Sequence, residues 1–231
     1  MKTIKKIFFI FFIIILIIIT IIGYNGYEMY KDAIEKTPID KKINEIKMKK
    51  NYTNLKNISI EFKNAIIAVE DHRFYNHKGI DLISTTKAIF TNIKNKDLVT
   101  GGSSITQQLA KNMYFSQEKK FSRKIAEIFV VSYLEEKLTK DEILELYINT
   151  IYYGNGYYGI GNASIGYFNK HPNELTINEA TILAGLPNAP SAYSLDKHKD
   201  LALKRQKQVL QAMVKYEYLD EKELNIILKE D

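Results

Sequence analysis

Ile7 to Ile22 is apolar at every position except Thr20, and Lys2, Lys5 and Lys6 precede it without an intervening acid. At 1.5 Å rise per residue a helix over this run covers about 24 Å, short of the ~30 Å hydrocarbon core of a bilayer. Ile4, Gly23 and Tyr24 therefore extend the span. The lysines put the amino terminus on the cytoplasmic side and everything after the run outside. A cleaved signal peptide is the competing reading, but Gly23-Tyr-Asn-Gly26 offers no small-x-small cleavage site. The expectation is a cytoplasmic segment 1–6 and an anchor 7–24, with Tyr24, Tyr27 and Tyr30 at the outer interface.

With 231 residues, the chain has room beyond the anchor for one domain of roughly 150 to 200 residues, and a second catalytic domain does not fit. It has no cysteine, which excludes a disulfide framework and a thiolate metal site. The net charge of +6 is not a nucleic-acid signal: with Lys2, Lys5 and Lys6 set aside, about +3 remains for the rest.

Residues 25–57 are rich in Lys and Asn and interrupted by Pro38, and read as a stalk before a domain at 58–231. Within the domain, Phe62, Ala65, Ile66 and Val69 fall on one helical face, and Leu82, Thr86, Ile89 and Ile93 predict the buried side of the next helix. Ile105, Leu109 and Met113 form a core stripe after Gly101-Gly102, while Ser104, Gln107, Gln108 and Lys111 make a polar stripe beside it. A long helix is expected over 122–138. Thr139-Lys-Asp-Glu142 and Thr176-Ile-Asn-Glu179 have the form of capping boxes, the second opening a helix stopped by Pro187. An amphipathic helix with Leu203, Leu210, Met213 and Val214 follows, then a last one over 220–229. Five glycines from Gly154 to Gly166, interleaved with aromatics, predict an irregular loop with room for a small hairpin. Strand signals are weak throughout, so the expected class is mainly α.

Two carboxylates stand out. Glu70 closes an amphipathic segment, where alone it would pass for a surface residue paired with Arg73 or Lys63. Glu127 follows Arg123 by four and Lys124 by three residues, the spacing of ordinary helical ion pairs. Lys111, Arg123 and Lys124 beside the amide stripe form a composition suited to a diphosphate leaving group, and two carboxylates with phosphate-binding cations point to glycosyl transfer. His72 and His77 match no zinc spacing.

Glu70-Asp-His-Arg-Phe-Tyr-Asn-His-Lys-Gly-Ile-Asp81 resembles the first signature of the family 51 peptidoglycan glycosyltransferases, and Gly101-Gly-Ser-Ser-Ile-Thr-Gln-Gln-Leu-Ala-Lys-Asn112 the second. Arg123-Lys-Ile-Ala-Glu127, the segment from Glu142 to Gly154 and that from Glu179 to Pro190 are similar to the third, fourth and fifth, so the resemblance covers residues 60 to about 195. The chain departs from the family at Lys119, where Arg is common, and at Gly161, where a larger polar residue is common. The likeness is to the monofunctional biosynthetic transglycosylases, and it implies a lysozyme-like helical domain behind one transmembrane helix. Glu70 and Glu127 would be catalytic, and Ser103, Ser104, Gln107, Gln108, Lys111, Asn112, Lys119, Arg123 and Lys124 would bind substrate. The implied partners are the lipid-linked disaccharide (lipid II), the growing lipid-linked glycan, the cytoplasmic membrane and other cell-wall synthesis proteins. No cofactor is obligatory, Mg²⁺ or Mn²⁺ could bridge the diphosphate, and the sequence shows no metal site. A peptidoglycan-cleaving lysozyme-like enzyme and a silent membrane scaffold are the rival readings.

Overall fold

The computed structural model describes residues 2–95, 101–115 and 121–230. These residues form eleven α-helices with three single 3-10 turns and no strand, the nearest to one being an antiparallel bridge between Tyr152 and Tyr158. The mainly α expectation holds.

Helix α1 (Lys2–Lys36) is one uninterrupted 35-residue helix, long and apolar enough from Ile4 onward to cross a membrane, with its apolar window wholly exposed. It does not end with the apolar run. Its outer half packs along α6 (Phe121–Lys137), and Pro38, which lacks an N–H and restricts the residue before it, starts a new helix, α2 (Ile39–Lys47). The stretch read as a stalk is thus part of the folded body: Ile39, Ile43 and Ile46 lie in the core.

Helix α3 (Ile60–Glu70) begins where the Ser59 hydroxyl accepts the Phe62 amide, and buries Phe62, Ala65, Ile66, Ile67 and Ala68 on more than one face. It packs against α9 (Ile177–Gly185) and α10 (Lys199–Lys215). Helices α5 (Ile105–Tyr114), α6 and α7 (Lys140–Thr150) form a second group, with α2 against α7. Ile105, Leu109 and Met113 are buried as expected. Both anticipated capping boxes form, at Thr139 before α7 and at Thr176 before α9. Helix α11 (Glu221–Glu230) follows α10.

Two further expectations fail. On α4 (Leu82–Asn95), Leu82 and Thr86 are exposed along with Ile83 and Phe90, and the inward residue is Ala88; the side chains of Ile89 and Ile93 lie outside the described residues. Asp81 fixes the rotation of the helix, accepting the Ile83 and Ser84 amides at 3.0 Å while paired to Arg73. This turns Thr85 and Ala88 toward Gly102, whose carbonyl accepts the Thr85 hydroxyl at 2.9 Å. The second failure is the glycine-rich stretch. The irregular loop ends at Gly159 (φ +80°), and residues Ile160–Phe168 form α8. Gly161 and Gly166 serve close packing rather than backbone freedom: a Cβ on Gly161 would lie 2.3 Å from the Asn51 carbonyl oxygen, and one on Gly166 2.3 Å from the Tyr157 ring.

Candidate active site

Glu70 is the last residue of α3 and stands half-buried at a cleft of about 510 Å³, also bordered by Asp71, His72, Ser84, Lys87 and Ser103. A relay fixes its carboxylate. The Tyr147 hydroxyl on α7 donates to Gln108 Oε1 at 3.1 Å, and Gln108 Nε2 donates to Glu70 Oε2 at 2.6 Å. Burial raises the pKa of Glu70 above the ordinary carboxylate value, and the Gln108 hydrogen bond with the charges of Arg205 and Lys111 opposes the rise. The Tyr147 phenol is pushed well up by burial and then by the charge of Glu70, so it stays a neutral donor.

The α6 residues meet as their spacing requires. Glu127 is fully buried, paired with Arg123 and, at 2.8 Å, with Lys124. Lys124 Nζ also donates to Ser103 Oγ at 2.9 Å, tying α6 to the loop before α5. Burial, then repulsion from Arg123 and Lys111, pushes Lys124 down to about 8. Half-buried Lys111 is lowered by burial and the Arg123 charge, with Glu70 pulling the other way. Lys111 thus stands within electrostatic reach of both the carboxylate and the cationic turn.

The remaining sequence-derived residues divide. Ser103 borders the cleft. Ser104, which also borders the cleft, and Gln107 form the capping box of α5, and the Ser104 hydroxyl donates to the Gly79 carbonyl. Asn112 is exposed and faces a second cavity of about 510 Å³, bordered also by Lys42, Lys49, Tyr152 and Tyr158. Lys119 lies outside the described residues. Sequence reasoning missed α10, which brings Gln208, Gln211 and Lys215 to the cleft, followed by Tyr216, whose ring stacks on His72 at 3.9 Å. Arg205, Gln208, Gln211 and Lys215 recur at helical spacing, the same signal that singled out α5.

Asp71, His77 and Asp81 bring donor atoms within 4.8 Å of one another. They do not fit a divalent cation. Asp81 is neutralised by Arg73 and accepts the Ser84 hydroxyl and two amides, while Asp71 accepts the Ile105 amide at 3.0 Å and meets His77 Nε2 at 2.9 Å. The group is a brace holding the loop after α3 against the start of α5.

The family model described as Transglycosylase matches residues 38–214. Penicillin-binding protein 4 of Bacillus subtilis is 41% identical over 170 residues, covering 74% of this chain and 27% of that protein. Penicillin-binding protein 1A of Neisseria gonorrhoeae is 40% identical over 183 residues, covering 79% of this chain and 23% of that protein. The chain spans about a quarter of the length of these relatives. A crystal structure of penicillin-binding protein 1A from Haemophilus influenzae aligns with a TM-score of 0.38 and 30% identity over 55% of this chain and 16% of that one, a likeness too distant to bear on the fold.

Proposed function

Because the chain belongs to the transglycosylase family, the family 51 peptidoglycan glycosyltransferases, we propose that it polymerises lipid-linked disaccharide-pentapeptide into β-1,4 glycan strands of peptidoglycan, releasing polyprenyl diphosphate with inversion at the anomeric carbon. The observation that carries this reading is the juxtaposition, across Lys111, of a carboxylate held at a cleft and a cationic turn. A base and a set of cations near one another are what glycosyl transfer from a diphosphate requires.

Glu70 takes the proton from the acceptor's 4-hydroxyl as that oxygen attacks the donor's anomeric carbon. The bond to the diphosphate oxygen breaks, and Lys111, Arg123 and Lys124 stabilise the charge that leaves with it. Glu127, buried between two cations, orients them and has no surface from which to act as a second base. An Mg²⁺ or Mn²⁺ ion would ride on the diphosphate rather than on a carboxylate cluster of the chain. Helix α1 spans the cytoplasmic membrane once, with the amino terminus inside and the domain outside.

Incubating detergent-solubilised protein with the lipid-linked disaccharide-pentapeptide and separating the products by size tests the reading. A ladder of glycan polymer is expected. Muropeptides released from mature peptidoglycan would identify a cleaving enzyme instead, and no turnover of either material a scaffold.

A further inference from the structure

Helix α1 contains two glycines at the outer end of its apolar run, and they differ. A Cβ on Gly23 would meet nothing within 4 Å, whereas one on Gly26 would lie 2.5 Å from Ile125 Cβ and 2.9 Å from the Ser122 carbonyl oxygen. Gly26 is buried, and Ser122 and Ile125 bracket Arg123 and Lys124 on α6. The anchor therefore touches the very turn that carries two of the clamp cations. One turn further out the Tyr30 ring stacks on Phe129 at 5.2 Å, and beyond that the Thr37 carbonyl accepts the Tyr114 hydroxyl of α5 at 2.9 Å. Helix α1 thus packs on α6, which carries two of the clamp cations, and the residue just after it, Thr37, ties the chain to α5, which carries Lys111.

Gly26 lies two residues beyond Tyr24, the end of the span, about 3 Å along the helix axis. The headgroup layer outside the hydrocarbon core is roughly 5 to 8 Å deep on each side, so Gly26 falls at the depth where a bilayer-embedded substrate carries its diphosphate. We propose that Gly26 is a positioning residue: its close contact with α6 holds the diphosphate clamp at headgroup height, so that the lipid-linked substrate meets it without leaving the bilayer. The proposal rests on the glycosyltransferase reading and on α1 crossing the membrane, and adds how the clamp is placed relative to the lipid.

The test uses the full chain in liposomes containing the long-chain lipid-linked disaccharide-pentapeptide, with a water-soluble short-chain analogue as the second substrate. Gly26→Leu pries α1 from α6, and Gly23→Leu is its control. A seven-residue alanine insertion after Tyr24 keeps the Gly26 contact but raises the clamp by about 10 Å with little rotation. Gly26→Leu and the insertion are each expected to lose at least about tenfold in kcat/KM on the bilayer substrate, mainly through KM, while staying within about threefold of wild type on the short-chain analogue. Gly23→Leu is expected to match wild type on both. Bilayer activity undiminished in either the Gly26 variant or the insertion would overturn the proposal. So would a Gly26→Leu loss of equal size on both substrates, which would make Gly26 a support for the shape of α6 rather than its height. If wild type polymerises neither substrate, the glycosyltransferase reading itself fails and this inference falls with it.

Discussion

Glu70 has to be ionised to accept a proton, yet burial favours its neutral form, and the Gln108 amide with the nearby cations offsets only part of that penalty. Glu70→Gln keeps the size and the hydrogen bonding but cannot take a proton. Polymerisation is expected to fall at least about 10²-fold with the thermal unfolding profile unchanged, and near-normal turnover in a product-size assay would remove Glu70 from the role. The same groups set a pH profile. Activity is expected to rise as Glu70 loses its proton, a limb displaced upward by its raised pKa, and to fall as Lys124 loses its charge near 8. In kcat/KM, which reports the free enzyme, a bell with an alkaline limb near 8 is expected. In kcat that limb moves up, because a bound diphosphate favours the ammonium; a flat profile through pH 8 to 9 would detach Lys124 from the chemistry. Arg123, Lys124 and Glu127 were legible in the sequence because helical spacing brings them together, and Lys111 because it lies on the polar stripe of α5, whereas Glu70 stood out only through the resemblance of its signature. Ser104 and Gln107 also start α5, and Ser104-Ile-Thr-Gln107 has the capping-box form recognised twice elsewhere in the chain. Capping groups and ligand-binding groups are chemically alike, and only the fold tells which atoms are already used.

Single elements show the same division between local and distant causes. Helix starts at Thr139 and Thr176 could be read directly, because a capping box is closed within four residues. The rotation of α4 and the helical state of 160–168 could not, since both depend on partners far along the chain: Arg73 and Gly102 for α4, and Asn51 for α8. At Gly161 that partner can be tested. Asn51 Nδ2 already donates to Asn162 Oδ1 at 2.5 Å, and the Thr53 amide donates to Asn149 Oδ1 at 2.8 Å, so the 51–53 segment is pinned against α8 and α7 and has little freedom to retreat. Gly161→Ala gains helix propensity but is expected to destabilise by about 1 to 3 kcal/mol net, the usual range for overpacking. Urea denaturation followed by circular dichroism measures it. A variant as stable as wild type would show that the 51–53 segment yields easily and that the glycine is not needed for packing.

For the molecule as a whole, the anchor and the catalytic body are one structure rather than a tether and its load. The exposed first part of α1 makes the apolar run, but Tyr30 and Ile34, further out on the same helix, pack on the domain core, and Tyr27 meets Phe129 edge-on at 5.6 Å. Two truncations separate these halves. A fragment of residues 23–231 loses the apolar run but keeps the helix that covers α6; a fragment of residues 38–231, which retains the whole of the family match, uncovers Ile125 and Phe129. The lost aromatic packing and partly buried side chains amount to about 3 kcal/mol. For a domain of this size that corresponds to a melting temperature roughly 6 to 12 °C lower in the shorter fragment. Differential scanning calorimetry of both fragments in the same buffer reads the difference. The shorter fragment is also expected to self-associate through its uncovered apolar face, so light scattering must accompany the melt at several concentrations. Equal melting temperatures and equal solubility would mean that residues 23–37 only connect. They would also weaken the positioning of the clamp by Gly26, because a helix that contributes nothing to stability through α6 cannot hold α6 at a fixed height.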